Sequence, residues 1–426
     1  MLTRNRILVL MCVAMVLGYM PWYNFSALSK FIADDFGLTA SDMGVILSAF
    51  QVGYVVTVVA TGWLADKVGN KKVAAWATLC TGVFSTMFAW LVRDFTSILV
   101  LRLLTGLSAG AIYVPGMSLL SGWFPPNQRG KALGTYTAAL TAAYAAGYLV
   151  ASSLGSIYGW RTGILGTSLP VFIAALIMFV LVKESPKNIE PGNEAEREIV
   201  KGQKKNVPAN APPGMGYSGP VLIIIAYMGH MWELYAFWGW VGPFMVANSI
   251  AAGYKESQSV LLGGLLSTLI ILIGVPAVWL LGMLSDKLGR TRTITFAALS
   301  SLVAEFFFGY LYGQCLPLVV TVGVWIGFWV IADSSIYKAG LTEMVREEAR
   351  STALGIQSAA GYAMTIPAPL VFGRLLENLN GKSIDPSMAT RWGPPFAILG
   401  LGALLAPLSA VILSKLPQAK LMAGQR

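Results

Sequence analysis

The chain has 426 residues, 56% of them hydrophobic and only 12% charged, and a net charge of +10. A soluble globular protein carries about 25% charged residues, so this composition excludes an ordinary soluble domain and points to a membrane protein. The basic excess is not a nucleic-acid footprint, because its placement follows the loops of a membrane topology.

Twelve apolar runs recur near 7–27, 44–64, 73–92, 96–121, 132–157, 162–182, 217–249, 259–283, 293–313, 316–341, 352–374 and 394–414. About 20 residues suffice for each crossing, and backbone in hydrocarbon must satisfy its own hydrogen bonds, so the runs are read as helices. The first follows Arg4 and Arg6 like a leader. It is too long and has no small-x-small cleavage site, so it is read as helix 1. With both termini in the cytoplasm, only Lys30, Arg93, Arg161, Lys255, Arg374, Lys382 and Arg391 fall on the opposite side, and Arg102 lies inside a run. The remaining Lys and Arg fall on the cytoplasmic side, which is the positive-inside bias that sets orientation. Cys12, Cys80 and Cys315 lie within or at the ends of apolar runs without metal-like spacing. They read as small buried residues rather than a disulfide framework.

The segment 183–216 is rich in Lys, Glu, Asn, Pro and Gly and reads as a flexible cytoplasmic linker. It divides the chain into a six-helix unit (1–182), a second six-helix unit (217–415) and a cytoplasmic tail (416–426). The two units repeat each other. "GWLADKVGNKK", from Gly62, lies between helices 2 and 3, and "GMLSDKLGRTR", from Gly282, lies between helices 8 and 9. Asp66 matches Asp286, and Gly69 matches Gly289. After helices 4 and 10, "QRGKALG" and "ARSTALG" match Arg129 with Arg350 and Gly134 with Gly355. Two unrelated loop motifs at nearly one offset indicate an internal duplication. Parallel repeats of this kind are a transporter plan, with solute bound between the halves near mid-membrane.

The first loop resembles the G-x-L-x-D-[RK]-x-G-[RK]-[RK] signature of the major facilitator superfamily, and the chain is identified as a member on that loop, its second copy and the twelve runs. The resemblance implies an all-α polytopic membrane protein of two pseudo-symmetric six-helix bundles, with helices 1, 4, 7 and 10 lining a central cavity. It also implies a cytoplasmic clasp that holds the outward-open state, pairing Asp66 with Arg129 and Asp286 with Arg350.

Ionisable residues inside the spans are functional candidates. In helix 1, Pro21 is expected to kink the helix so that Trp22, Tyr23 and Asn24 face the cavity. In helix 4, Arg102 begins a stripe with Gly106 and Gly110 on which another helix can pack closely. Arg102 is either an anion or coupling site or a structural arginine bonded to backbone carbonyls of a neighbouring helix. In helix 7, His230, Glu233, Phe237 and Trp240 recur at three- and four-residue spacing and share one face. The pair His230 and Glu233 is read as a proton or solute site in the cavity wall, or as a cross-link between helices. Asp333 in helix 10 is a cavity residue or a partner for a basic loop group, while Lys338, nearer the cytoplasmic end, could snorkel out. Glu305 in helix 9 has no assigned role.

"WFPPNQRGKALG" resembles the W-F-P-x-x-x-R-x-x-A-x-G loop of organic-anion porters. The helix 5 Gly-Pro element of drug antiporters is absent, and so are the arginines of nitrate porters in helices 2 and 8. No enzyme site, phosphate loop or zinc spacing is present, so no cofactor or metal is expected beyond an ion gradient, with the proton as the leading coupling ion. The expected function is secondary transport by alternating access of a small polar solute, foremost a carboxylate-type anion. The alternatives are proton-exchange efflux of an amphiphile and a non-transporting sensor. The expected setting is the plasma (inner) membrane, as a monomer with a lipid bilayer and a small-molecule solute as its partners.

Overall fold

The computed structural model describes residues 4–184, 216–346, 349–381 and 386–424, with the side chains at 62, 63, 66, 126, 127 and 351 outside that description. Within it the chain is helical throughout. Eleven helices among the described residues are long and apolar enough to cross a membrane. In the first half these are α1 (Arg4–Trp22), α2 (Ala40–Val68), α3 (Asn70–Leu91), α4 (Phe95–Trp123), α5 (Pro126–Tyr158) and α6 (Trp160–Leu181). In the second they are α7 (Ser218–Ala251), α8 (Glu256–Leu288), α9 (Arg290–Leu311), α10 (Leu316–Met344) and α12 (Gly393–Ser414). The remaining expected span, α11, is divided into Arg350–Met364 and Pro367–Asn380. Pro367 breaks it, because proline disfavours helical backbone at the preceding residue and brings no N–H of its own.

Local chemistry explains the helix ends. Thr39 caps α2 and shares a reciprocal capping box with Asp42. Asp94 and Ser97 do the same for α4. The repeated glycines of the two loop motifs have one job. Gly69 (φ 99°) and Gly289 (φ 97°) turn the chain sharply between α2 and α3 and between α8 and α9. That backbone region is closed to residues with a Cβ. The duplication read from the sequence is therefore also a repeat of backbone conformation.

Packing of the first half relies on the predicted glycine stripe. A Cβ on Gly106 or Gly110 would strike the backbone of Phe50 or Tyr54, so α2 and α4 touch backbone to backbone. The outward flanks carry exposed apolar side chains such as Val9, Val59, Trp76, Leu176 and Phe307, as expected of a surface that meets lipid. The cysteines correct the expectation: Cys12 and Cys80 are only half-buried and Cys315 is exposed.

Lys183 and Ser218, the ends of the segment joining the halves, mark one face of the bundle, here called the linker face. The opposite face is distal. The linker call falls on residues 185–215, outside the described residues, but its described start is docked: Glu184 Oε2 accepts from the N–H of Lys71, 3.2 Å away, beside Gly69. The C-terminal tail makes the matching contact in the second half. Ala423 N–H donates to Glu343 Oε2 at 3.1 Å, and Gly424 packs against Gly289.

Candidate functional site

Several helices that meet at the centre are interrupted there, and each break leaves carbonyl or N–H groups without a helical partner. Two breaks satisfy each other. In α1 the helix lapses around Met20–Tyr23. The exposed carbonyls of Pro21 and Trp22 accept from the Arg102 guanidinium at 3.2 and 2.9 Å, and Asn24 Oδ1 accepts at 3.4 Å. In α4 the helix lapses after Ala109. There the Tyr19 hydroxyl donates to the Ala109 carbonyl at 2.8 Å and accepts from the Tyr113 N–H at 3.1 Å. Arg102 is 3% exposed and has the Phe50 ring 4.5 Å away. In this structure its fork serves a broken helix inside the first half, the arrangement that the structural reading describes. Asn24 also points into that half and donates to Thr167 Oγ1 at 2.9 Å. Tyr23 and Trp22 of the helix 1 candidates reach across: Tyr23 O–H donates to the Tyr235 carbonyl at 3.3 Å, and the Trp22 ring lies 5.8 Å from the Tyr235 ring.

The predicted α7 face behaves as one face. It looks into the second half. His230 Nδ1 lies 3.0 Å from Asp333 Oδ1, and its Nε2 lies 2.6 Å from Ser334 Oγ. Tyr337 O–H donates to Asp333 Oδ2 at 2.6 Å. Asp333 stands at the break in α10 and is held by α7, not by a basic loop group. Glu233 faces α9, where its carboxyl adjoins Ser301 and Glu305. Both Glu305 oxygens and one Glu233 oxygen are buried without a protein donor. Two adjacent carboxyls in an apolar setting repel each other if both are ionised. Glu305, unassigned from sequence, is thus the neighbour of Glu233. Phe237 packs on Phe308 and Phe396, and Trp240 stacks on Phe372 and donates to the Pro369 carbonyl at 3.3 Å. These are interior contacts of the second half.

The side of α7 that meets the first half carries Tyr235, Trp238 and Gly239 instead. Tyr148 O–H donates to the Trp238 carbonyl at 2.6 Å, and Ser26 O–H to the Gly239 carbonyl at 2.8 Å. An aromatic cluster fills the centre: Trp22 lies 4.7 Å from Tyr54 and 5.2 Å from Tyr144, Trp238 lies 5.2 Å from Tyr144, and Tyr54 lies 5.1 Å from Tyr362. The indole N–H groups of Trp22 and Trp238 have no acceptor. The sequence reading missed Tyr54, Tyr144, Tyr235, Trp238 and Tyr362. Their aromatic character was visible, but nothing along the chain says that four helices bring them together.

Hydrogen bonds between the halves gather on the distal side. Besides those above, Ser48 O–H donates to the Ile366 carbonyl at 2.7 Å, Ser41 N–H to Glu377 Oε2 at 3.0 Å, and Thr365 O–H to Gln51 Oε1 at 3.3 Å. Gly44 and Gly373 let α2 and α11 touch there, their Cα atoms meeting where side chains would stand. Toward the linker face, Gly134 and Gly355 have nothing within 4 Å of where a Cβ would sit.

In the second half the pairing differs from the expected Asp286 with Arg350. Asp286 pairs with Arg290 at 2.6 Å, and Arg290 also meets Glu343 at 2.8 Å. Arg350 instead donates to the Thr342 carbonyl at 3.0 Å. The i, i+4 step across the Gly289 turn presents Arg290 to Asp286 first. The Asp66 side chain lies outside the described residues, so the pairing of Asp66 with Arg129 falls outside them too; among the described residues Arg129 Nε has no partner.

The Major Facilitator Superfamily model matches residues 11–369. The chain belongs to that superfamily. A probable sulfoacetate transporter of Cupriavidus necator is 25% identical over 418 residues, 94% of this chain and 93% of that protein. A D-galactonate transporter of Escherichia coli is 22% identical over 426 residues, covering 95% and 94%. Among solved structures, a bacterial homologue of the human lysosomal transporter Spinster, in an inward-facing and occupied conformation, superposes with a TM-score of 0.73 at 14% identity, covering 97% of this chain and 96% of that one. The chain is thus a polytopic membrane transporter of this fold and not an enzyme.

Proposed function

We propose that this chain moves a small organic anion together with protons, by alternating access between its two halves. The solute class is supported by the full-length likeness to transporters named for sulfoacetate and D-galactonate. The positive-inside bias puts the linker face in the cytoplasm. Distal hydrogen bonds combined with open space at Gly134 and Gly355 then correspond to an inward-open state.

The observation that carries the coupling is the buried acid network of the second half: Glu233 beside Glu305, and Asp333 held by His230 and Tyr337. An uncompensated carboxyl pair at hydrocarbon depth needs a proton to stay neutral. A conformational change that brings water or a cation to it releases that proton. The pair lies inside one half while the solute site lies between halves, so coupling runs through α7, whose opposite sides serve the two.

Proteoliposome uptake of radiolabelled carboxylates and sulfonates, with and without an inward proton gradient, tests this. The expected result is saturable, gradient-driven uptake. Glu233→Gln loses accumulation and keeps exchange of solute for solute. Gradient-driven accumulation that survives in both Glu233→Gln and His230→Ala overturns the proton site, and any saturable flux removes the sensor alternative.

A further inference from the structure

Lys338, half-buried, turns toward the first half. It sits on the linker-side piece of α10, Ser334–Met344, and its ammonium lies over the Tyr113 ring of α4, 5.8 Å from the centroid, reaching from one half to the other. Tyr227 of α7 and Tyr362 of α11 are within electrostatic reach of it, and Tyr227 packs 5.7 Å from the ring of the adjacent Tyr337. Among the described residues no carboxylate lies within ion-pair distance of it, because Asp333, one helical turn earlier, is engaged by His230 and Tyr337. A lysine at this depth without a counter-ion is costly, and tyrosine faces offset only part of that cost. Tyr362 joins it to the central aromatic cluster, since its ring packs on Tyr54 and Tyr235. The site therefore offers one cation, hydroxyl donors around it and aromatic faces beside it, on the open side of the distal seal.

We propose that Lys338 is the residue that binds the charged head of the solute, a carboxylate or sulfonate, with Tyr227 and Tyr362 as hydroxyl donors and the aromatic cluster against the remainder of the molecule. This deepens the anion-transport reading and rests on it for the choice of probes. Arg102, the other intramembrane cation, is committed to the α1 carbonyls, so its charge is not free for solute. A bound anion compensates Lys338 and places negative charge between Tyr113 of one half and α10 of the other. It would favour bringing the linker-side parts of the two halves together.

The experiment is calorimetric binding to the purified full-length protein in nanodiscs, with sulfoacetate, galactonate and, for each, an uncharged amide analogue. The wild type is expected to prefer each anion over its amide. In Lys338→Gln the dissociation constant for the anion rises about ten- to a hundred-fold, the range for a lost charge-assisted contact. The preference over the amide collapses with it, and Lys338→Arg restores most of the affinity. Should Lys338→Gln not fold, the wild type itself answers. Acylation of Lys338 by an amine-reactive ester, followed by mass spectrometry, is slowed by saturating anion and not by the amide. Anion affinity unchanged in a folded Lys338→Gln, or acylation unaffected by an anion that binds, overturns the assignment and leaves anion transport standing. Absence of binding and uptake for every acid, in wild type, overturns anion transport itself.

Discussion

Two intramembrane cations, Arg102 and Lys338, illustrate what a single residue can do at hydrocarbon depth. Arg102 presents a planar fork, and the broken α1 presents three oxygens to match it. Lysine retains the charge but not the fork. Arg102→Lys is therefore expected to destabilise the first half by about 2 kcal/mol, the scale of a charged hydrogen bond lost. The check is a drop in melting temperature in detergent with an unchanged KM for solute. A large KM change at normal stability would instead restore Arg102 as a solute ligand. That Arg102 was significant was legible from its type and depth. Which of its two roles held was not, because the carbonyls that it binds belong to a helix some eighty residues earlier. Glu305 was legible only as an oddity for a similar reason: its meaning depends on Glu233, carried by a different helix.

At the scale of one helix, the spacing of His230, Glu233, Phe237 and Trp240 correctly groups them on a face of α7, but periodicity does not say what a face meets. The polar pair made the cavity the natural destination, and the structure turns that side inward, to α9, α10, α11 and α12. A central helix of a two-bundle protein is buried all round, so polarity does not separate the side that faces its own bundle from the side that faces the other half. The two sides predict different phenotypes. Phe237→Ala, which empties space among Phe308 and Phe396, is expected to cost about 3 kcal/mol or more of stability with little change in KM. Tyr235→Ala, which opens the cluster between the halves, is expected to raise KM several-fold with a smaller loss of stability. Thermal melts paired with uptake kinetics separate the two, and equal effects in both variants would remove the distinction between the sides.

For the molecule as a whole, the hydrogen bonds between the halves gather distally, while Gly134 and Gly355, toward the linker face, have open space beside them. Glycines mark both conditions. Gly44→Val places carbon where the Pro369 carbonyl already sits. It is expected to pry α2 from α11 and raise the reactivity of a cysteine placed at Ser48 toward a thiol reagent added from the distal side. Gly134→Leu and Gly355→Leu meet open space here and are expected to leave stability unchanged, yet to slow transport because the linker-side ends can no longer close. If transport by both is normal, those ends do not come together in the cycle.

Composition and apolar run length, read along the chain, determined the membrane class and the helices. The two copies of the glycine–aspartate loop determined the duplication, and with it the superfamily. These are local properties, set by the solvation of a backbone in lipid and by the conformational freedom of glycine, so they are legible one segment at a time. Only the tertiary structure decided that Arg102 braces a break in α1, that Asp286 pairs with Arg290 and not Arg350, that Glu305 adjoins Glu233, and that Lys338 stands between the halves. Each depends on which side chain the packing of twelve helices places opposite another. That is a property of all the contacts together and is written in no single segment.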